Sequence, residues 1–288
     1  MGNHLKKIIM IMLLLFVIAA LPVISRAEEQ SQQKPEESKV TGEIGLSALS
    51  AYIWRGQELT RHSVVVQPAV TVSYNGFALN VWGNLDTRPY SAGEAKYASQ
   101  QTETDYILSY SRKFGILQIT PGYIYYALEA PYSGATDPLD SQEIFLSLGV
   151  DTILQPTLTA YKEIDHYHQW YFLLGVSHTF AFNKVVSLKL SASASYLLST
   201  DETTYAKYDS DSLVTTEKFN NFHDGTVTIS LPLAVYKTLT VTPTISYVFP
   251  LSDDARYEMR ARSVQGAAVP SDKDTEYIYG GVTLSYTF

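Results

Sequence analysis

The sequence predicts an all-β fold, a transmembrane antiparallel up-and-down β-barrel of about twelve strands, and three observations lead to it. Segments in which apolar and polar residues alternate recur along the chain. The connections between them include tight turns on one side and long polar loops on the other. The last segment, residues 276–288, alternates cleanly and ends on an aromatic residue, Phe288. Period-two alternation is expected of a barrel because one face of each strand meets lipid and the other meets the lumen.

The N-terminal residues 1–27 are predicted to be a secretory signal peptide. Two lysines precede an apolar run over residues 8–21, and Ser25 and Ala27 form a small-residue cleavage site. The alternative is an uncleaved membrane anchor, because the run is nearly long enough to span a bilayer. Residues 28–41 carry no apolar pattern and are predicted to be a disordered periplasmic leader, which leaves residues 42–288 as the barrel.

Composition excludes several classes of protein. The formal net charge is −8, and removal of the three basic residues in the signal peptide makes it −11, which disfavours nucleic acid as a partner. The 288 residues include no cysteine, so disulfides, thiolate metal sites and a lipid-anchored N-terminus are excluded. Beyond the signal peptide no apolar run is long enough for a helical span, which excludes a helical membrane protein.

Twelve segments with strand-like alternation follow the leader. The clearest is the ninth, where Val186, Leu188 and Leu190 face one way and Ser187 and Lys189 face the other. The predicted strands are residues 43–55, 64–74, 77–86, 103–113, 116–127, 142–150, 156–164, 169–180, 185–197, 223–235, 239–249 and 276–288.

The connections predict the orientation of the barrel. Strands two and three meet at Asn75-Gly76, a dipeptide that accepts the positive φ angles of a type I′ turn. Further tight turns are predicted near residues 114–115, 181–184 and 236–238, whereas residues 87–102, 128–141, 198–222 and 250–275 form long polar loops. Outer-membrane barrels have short periplasmic turns and long extracellular loops. Both termini are therefore expected on the periplasmic rim.

Aromatic residues are expected in two girdles, one at each membrane interface. The predicted outer girdle contains Tyr52, Trp54, Tyr125, Trp170 and Tyr196. The predicted inner girdle contains Tyr74, Phe77, Tyr110, Phe180, Tyr286 and Phe288.

Two features fit a closed barrel less easily. Four prolines, at positions 68, 121, 232 and 243, fall within predicted strands, and each removes a hydrogen-bond donor from the ladder. Bulges or local water are expected to compensate. The seventh strand places Lys162 on the outer face, which predicts that it lies near an interface where a lysine can reach water.

The inward face is mostly small and polar, which predicts a narrow water-filled path. Larger or charged inward residues towards the outer mouth are predicted to line a constriction, and their acidic excess predicts a weak cation preference. The alternative is that they satisfy one another as internal pairs. The predicted pore-lining residues are Arg55, Asn80, Trp82, Asn84, Asp86, Asp105, Tyr126, Glu143, Lys189 and Tyr279.

Catalytic and metal sites are not predicted, and no cofactor is expected. Ser177 and His178 are adjacent on a strand and point to opposite faces, so they cannot form a hydrolytic dyad. His223-Asp224 is interpreted as a pair of solvated rim residues. The residues 165–168, with two histidines, give only a weak metal-binding pattern. Asp209, Asp211 and Asp253-Asp254 are interpreted as solvated loop residues.

The first three strands resemble a known family. Tyr52-Ile53-Trp54-Arg55-Gly56, followed by Pro68, Gly76 and then Val81-Trp82-Gly83-Asn84-Leu85-Asp86, resembles the opening of the TorF-like putative outer-membrane porins. That resemblance implies an outer-membrane barrel with a transport role and supplies no catalytic residues.

The sequence thus predicts a non-enzymatic outer-membrane channel for passive diffusion of small hydrophilic solutes. The alternative is a barrel with a structural or adhesive role carried by its long extracellular loops. Expected partners are outer-membrane lipid, lipopolysaccharide, small solutes, and the barrel-assembly machinery, which would recognise the C-terminal strand ending in Phe288.

Overall fold

A computed structural model describes residues 39–60, 63–87, 99–129, 138–263 and 273–288. The predicted signal peptide and residues 28–38 of the predicted leader lie outside the described residues. No helix in the described ranges combines the length and the apolar character needed to cross a membrane.

Twelve antiparallel strands pair in chain order and close into a ring. The first and last strands pair with each other over residues 43–49 and 281–287, which completes the barrel. The strands are β1 Thr41–Leu49, β2 Val65–Tyr74, β3 Phe77–Asp86, β4 Gln100–Tyr110, β5 Leu117–Leu128, β6 Ser141–Val150, β7 Thr157–Glu163, β8 Gln169–Ala181, β9 Ser187–Ser199, β10 Asn220–Ser230, β11 Leu239–Pro250 and β12 Tyr277–Thr287. The predicted fold class is confirmed, and each of the twelve predicted segments overlaps one strand.

The four prolines lie at interruptions of the ladder. The β2–β3 ladder skips Pro68. The β4–β5 ladder breaks at Tyr110 and Ser111, which lie opposite Pro121 and Thr120, and resumes in a short extension of β4, Arg112–Phe114. In the break between β10 and its extension, Leu233–Tyr236, Pro243 lies opposite Leu231 and Pro232 lies opposite Thr242. Because a proline has no N–H to donate, these gaps leave no ladder donor missing.

The exterior of the barrel is an apolar belt and the interior is polar. Outward residues at mid-height are exposed apolar side chains: Val70, Leu79, Leu108, Leu146, Ile229 and Leu284. The neighbouring inward residues are partly buried and polar: Thr71, Asn80, Ser109, Ser147, Thr228 and Thr283. This division suits lipid outside and water inside.

Aromatic side chains on the outer surface lie towards both ends of the strands. Near the inner turns the exposed aromatics are Tyr74, Phe77, Phe114, Phe180, Phe182, Tyr236, Tyr286 and Phe288. Near the outer loops the Trp170 ring stacks on Phe172, at 5.8 Å between ring centroids. The Lys162 ammonium lies 5.7 Å from the centroid of Trp170, so it sits on the outer face as predicted.

The turn lengths follow the predicted asymmetry. Asn75 and Gly76 have φ angles of 51° and 88°, as a type I′ hairpin requires. Every connection at that end of the barrel is short, whereas most at the other end are long. One outer connection differs, because residues 164–168 join β7 to β8 in a tight loop.

The predicted end of the first strand is wrong. β1 stops at Leu49 rather than continuing to residue 55, and the chain turns into the lumen. There Ile53–Trp54 pairs with Gln57–Glu58 to form a small hairpin, hereafter the L1 hairpin. Tyr52 and Trp54 consequently lie inside the barrel and not in the outer girdle: Tyr52 is buried, and the Trp54 ring contacts the inward residue Tyr126.

The β11–β12 connection also folds inward, as helix α1, Asp253–Arg262. The side chain of Ser252 caps it by accepting a hydrogen bond from the N–H of Ala255 at 3.1 Å. Two acidic residues in the first turn and two basic residues in the last turn suit the helix dipole. Ala255, Glu258 and Met259 form its buried face, so the prediction of a polar loop over this region is wrong. The Asp253 side chain is 82% exposed, as predicted.

A small hydrophobic core fills part of the outer half of the lumen. It joins barrel strands, the β9–β10 connection and α1, and its buried members are Tyr171, Leu197, Tyr205, Phe219 and Ala255. Above it, Ala206–Tyr208 pairs with Val214–Lys218 in an outer loop hairpin. Alternation of apolar and polar residues describes strands only, so it did not predict this core.

Candidate functional site

Arg55, at the tip of the L1 hairpin, forms a buried ion pair with Glu143 on β6. Its two terminal nitrogens donate to the two carboxylate oxygens, Nη1 to Oε1 at 2.8 Å and Nη2 to Oε2 at 2.6 Å. The guanidinium also lies over the rings of Tyr171 and Trp54, at 4.3 and 4.6 Å from their centroids. A bidentate pair of this kind fixes orientation as well as distance. We call this contact the Arg55–Glu143 clamp.

The clamp keeps Arg55 charged despite its burial. Burial disfavours the cation, but the Glu143 carboxylate holds the pKa of the Arg55 guanidinium above its usual range. Tyr126 donates its hydroxyl to Glu143 Oε2 at 2.9 Å, which satisfies a further acceptor site of the carboxylate.

The hairpin turn depends on Gly56. Its φ is +76°, a conformation that side-chain-bearing residues rarely adopt. A Cβ at this position would lie 3.0 Å from Asp224 Cβ and 3.1 Å from Met259. The turn is therefore pressed against both the barrel wall and α1, and only glycine fits there without displacing a neighbour.

His223 on β10 joins the barrel wall to α1. Its Nδ1 lies 2.9 Å from Asp224 Oδ1 and its Nε2 lies 2.9 Å from Glu258 Oε2, and the ring is fully buried. Because both ring nitrogens face carboxylate oxygens, both must be donors, and the ring is an imidazolium. Asp224 also accepts from Tyr171 and Ser195, at 2.8 and 2.7 Å.

The Glu258 carboxylate contacts side chains of β10, the L1 hairpin, the β9–β10 connection and α1 itself. Besides the contact with His223, it accepts hydrogen bonds from Gln57 of the L1 hairpin at 3.0 Å and from Tyr205 of the β9–β10 connection. It also forms an ion pair at 2.9 Å with Arg262, one helical turn later. Burial alone would raise the pKa of Glu258, but His223, Arg262 and Tyr205 hold that pKa below its usual range.

The depressed pKa of Glu258 predicts how α1 responds to acid. Its stabilising contribution is complete above the unfolded glutamate pKa, about 4.3, and is lost as the pH falls through the lower folded value. Protease cleavage of the β11–β12 connection in refolded protein should therefore stay slow from neutral pH down to that range and accelerate only below it. In Glu258→Gln, cleavage should already be fast at neutral pH. Release of the wild-type helix near pH 6 would contradict this assignment.

A second acidic group, Glu103 and Asp105, lies on the inward face of β4. Both side chains are buried. They lie two residues apart and therefore on the same face of the strand, and Asp105 Oδ1 has no hydrogen-bond partner. No lysine, arginine or histidine within the described ranges forms a salt bridge with either residue.

The inner half of the lumen is lined by hydroxyl groups that bond across neighbouring strands. Thr159 donates to Ser147 at 2.9 Å and Thr244 donates to Ser230 at 3.0 Å. Ser47 and Thr283 lie 2.8 Å apart across the seam between β1 and β12. These short side chains leave open space between the walls.

Four cavities follow the lumen, and neighbouring cavities share lining residues. The outer cavity, about 210 Å³, and the middle cavity, about 300 Å³, share Trp54 and Tyr126. The middle cavity shares Ser193 and Thr226 with an inner cavity of about 230 Å³. That cavity shares residues 155 and 157 with another of about 340 Å³ near the inner turns. The L1 hairpin stands between the outer and middle cavities.

The structure places five of the predicted pore-lining residues around the L1 hairpin. Arg55, Glu143 and Tyr126 are in direct contact. Asp105 and Tyr279 line the middle cavity. That these residues line a conducting path stays a prediction.

The other five predicted residues are spread along the wall. Trp82 packs on Tyr52, at 5.5 Å between ring centroids. Asn84 is bonded to Gln67 and Thr102, at 3.0 and 2.8 Å, and Asp86 accepts from Ser63 at 2.6 Å. Asn80 donates to Thr71 at 2.8 Å, and Lys189 pairs in register with Thr179 and Ser230 in the inner half.

The His223-Asp224 pair has a different role from the one predicted, and the loop at residues 165–168 is organised around one carboxylate. His223-Asp224 is not a pair of solvated rim residues, because His223 is fully buried and Asp224 nearly so. In the loop at residues 165–168 the four backbone N–H groups point at the Glu163 carboxylate, at 2.7 to 3.0 Å. Within the described part of the chain, no group of three or more His, Cys, Asp or Glu side chains is placed to hold a metal ion.

Sequence reasoning missed Glu103, His223 and Glu258. A local signal existed for Glu258, because Ser252 followed by two aspartates, with arginines eight and ten residues after Ser252, is a recognisable helix pattern. Glu103 lies two residues before Asp105 and therefore on the same face of the strand, so it belonged in the inward set.

Comparisons with known proteins give similarities in fold. No family model matches the chain, and no curated protein sequence matches it. Among solved structures, a KdgM porin is 12% identical, with 85% of this chain and 99% of that chain covered and a TM-score of 0.47. A NanC porin is 10% identical, with 85% and 98% covered and a TM-score of 0.49. An outer-membrane channel from Pseudomonas putida F1 is 7% identical, with 91% and 100% covered and a TM-score of 0.45. The resemblance to the TorF-like family stays a prediction.

Proposed function

We propose that this protein is an outer-membrane channel for passive diffusion of small hydrophilic solutes, narrowed in its outer half by the L1 hairpin and α1. The apolar belt and the girdle aromatics support insertion in a bilayer. Short turns at the end that carries both chain termini support an orientation with long loops outside. Lipid, lipopolysaccharide and the barrel-assembly machinery are the partners this location implies.

One observation carries the channel proposal: the cavities share lining residues from the inner turns to the L1 hairpin and on to the outer loops. A barrel filled only for structural reasons would pack its inner half as tightly as its outer half. Instead, bulky side chains and folded loops occupy the outer half, and small hydroxyl side chains line the inner half. The path is interrupted by a hairpin that only non-covalent contacts hold in place.

Conductance of the refolded mature chain in planar bilayers tests the proposal. We expect discrete steps of small conductance, because the L1 hairpin reduces the free cross-section. The exposed Lys218–Glu202 salt bridge, at 3.2 Å, belongs to the outer loops, so Lys218→Ala should leave these steps unchanged. Repeated insertions without resolvable current would reject a channel.

An adhesive role is the second candidate, and the outer loop hairpin favours it. Leu213 and Val214 at its tip are 61% and 67% exposed. Removing residues 199–220 would also remove Tyr205 and Phe219 from the core, so the discriminating change is Leu213→Ser with Val214→Ser. Lost surface binding with unchanged conductance would favour adhesion.

A further inference from the structure

We propose that Glu103, Asp105 and Gln169 form a binding site for a small organic ammonium ion, between the outer and middle cavities. This site deepens the proposed channel function, because it names the class of solute that the lumen selects. It concerns groups that the Arg55–Glu143 clamp and the His223 network do not use.

Charge counting isolates the acidic pair. The buried ion pairs of the outer lumen use three cationic and three anionic side chains, which balance: Arg55, His223 and Arg262 against Glu143, Asp224 and Glu258. Three other buried acids, Glu58, Asp86 and Glu163, have partners of their own. Glu103 and Asp105 remain without a cation, buried two residues apart on the same face of β4. Two carboxylates removed from water need a shared proton or a cation between them, since two bare negative charges there would repel strongly.

Two unpartnered acceptors lie at the site, beside one unpartnered donor, the Nε of Arg262, which forms an ion pair with Glu258. Asp105 is 9% exposed, lines the middle cavity, and its Oδ1 has no hydrogen-bond partner. Gln169 is 3% exposed, lines the outer cavity together with Glu103, and its Oε1 has no partner either. Gln169 is on β8, far along the chain from β4. Its free oxygen is therefore a second, independent observation of a buried acceptor without a hydrogen-bond donor. The N–H groups of Arg55 and Arg262, which line the same two cavities, reach neither acceptor, so both acceptors can receive hydrogen bonds from an added ion.

The walls indicate an organic ion. Trp54 and Tyr126 line both cavities and present apolar surface beside the carboxylates. The two cavities exceed many times the ~10–15 Å³ that one buried water needs. Within the described residues, no cluster of three or more acidic or imidazole ligands is present for a divalent metal. An alkylammonium ion fits, because its N–H groups reach the acceptors and its carbon atoms lie against the aromatic rings.

Isothermal titration of the refolded, detergent-solubilised chain tests the site. The probes are propylammonium, glucose, propionate and Mg²⁺. We expect saturable binding of propylammonium alone, with release of the proton that the carboxylate pair shares when the site is empty. Equal binding of glucose or propionate, or preferred binding of Mg²⁺, would overturn the assignment.

Two variants of similar shape localise the binding. Glu103→Gln combined with Asp105→Asn should weaken propylammonium binding at least about tenfold, because charge-assisted contacts are lost. Gln169→Leu removes one neutral acceptor and should weaken binding less. Asp151→Asn, at the exposed pair with Lys113 near the inner turns, is the control and should bind as the wild type does. Unchanged affinity in the double variant would place any bound ion elsewhere.

The experiments distinguish failure of the channel proposal from failure of the binding-site proposal. Conductance without propylammonium binding would remove the site and leave the channel. Binding without conductance would leave the site in a barrel that does not conduct. Retained heat-modifiable mobility on gels shows that each variant has folded, so a loss of binding is attributable to the substituted groups.

Discussion

Arg55→Ala is expected to raise the single-channel conductance several-fold. The substitution removes both hydrogen bonds of the Arg55–Glu143 clamp and the stacking on Trp54 and Tyr171. It also leaves the Glu143 carboxylate buried without its cation, a change that costs about 3–5 kcal/mol in comparable sites. The hairpin tip therefore loses its hold on the opposite wall and moves, which joins the outer and middle cavities. Planar-bilayer recordings of wild type and variant measure the change.

Two further variants separate the charge from its geometry. Arg55→Lys keeps the cation but loses the bidentate pair and the planar stacking, so its conductance should lie between those of wild type and Arg55→Ala. Glu143→Gln should behave like Arg55→Ala, because it leaves the other member of the pair buried and uncompensated. If all three conducted like the wild type, the L1 hairpin would not control the path.

His223→Ala is expected to lower the free energy of unfolding by about 3–5 kcal/mol. The side chain bridges Asp224 on the wall and Glu258 on α1, and its loss leaves two buried carboxylates without their shared cation. Because Gln57 of the L1 hairpin also bonds Glu258, both inward-folded loops should loosen together. Urea unfolding of the protein folded into lipid vesicles, followed by tryptophan fluorescence, measures the loss.

A matched histidine provides the control. His166 pairs with Asp165 at 2.8 Å in an outer loop, but both side chains are about 30% exposed. Exposed pairs of this kind contribute about 0–1 kcal/mol, so His166→Ala should change stability little. A loss in His223→Ala no larger than in His166→Ala would show that the buried bridge does not hold α1 in place.

The barrel could be predicted from the sequence because its signals are local. Alternation with period two, a turn dipeptide such as Asn75-Gly76 and loop lengths are each visible within a dozen residues. These signals located all twelve barrel strands and the face of the strand on which Lys162 lies, but not the short strands of the L1 hairpin and the outer loop hairpin. The prolines seemed incompatible with a closed barrel, because each lacks an N–H group for the hydrogen-bond ladder. The sequence does not show that the ladder is interrupted next to Pro68, Pro121 and Pro243.

The inward-folded loops could not be predicted in the same way, because what draws them inward is distant in the chain. Arg55 meets Glu143 across 88 residues, and His223 meets Glu258 across 35. Both acids were visible as polar residues. Which basic side chain pairs with each of them depends on how the closed barrel places distant segments next to one another. A loop rich in polar residues is normally solvated, and here the polar residues satisfy one another instead.

The seam between β1 and β12 has a consequence for the order of assembly. β1 finds its partners in β2 and in β12, more than 230 residues later in the chain. Until β12 is in place, β1 and β11 each present an unpaired edge that would template aggregation. The cylinder cannot close before β12 pairs with β1, so both edges need protection until that pairing forms.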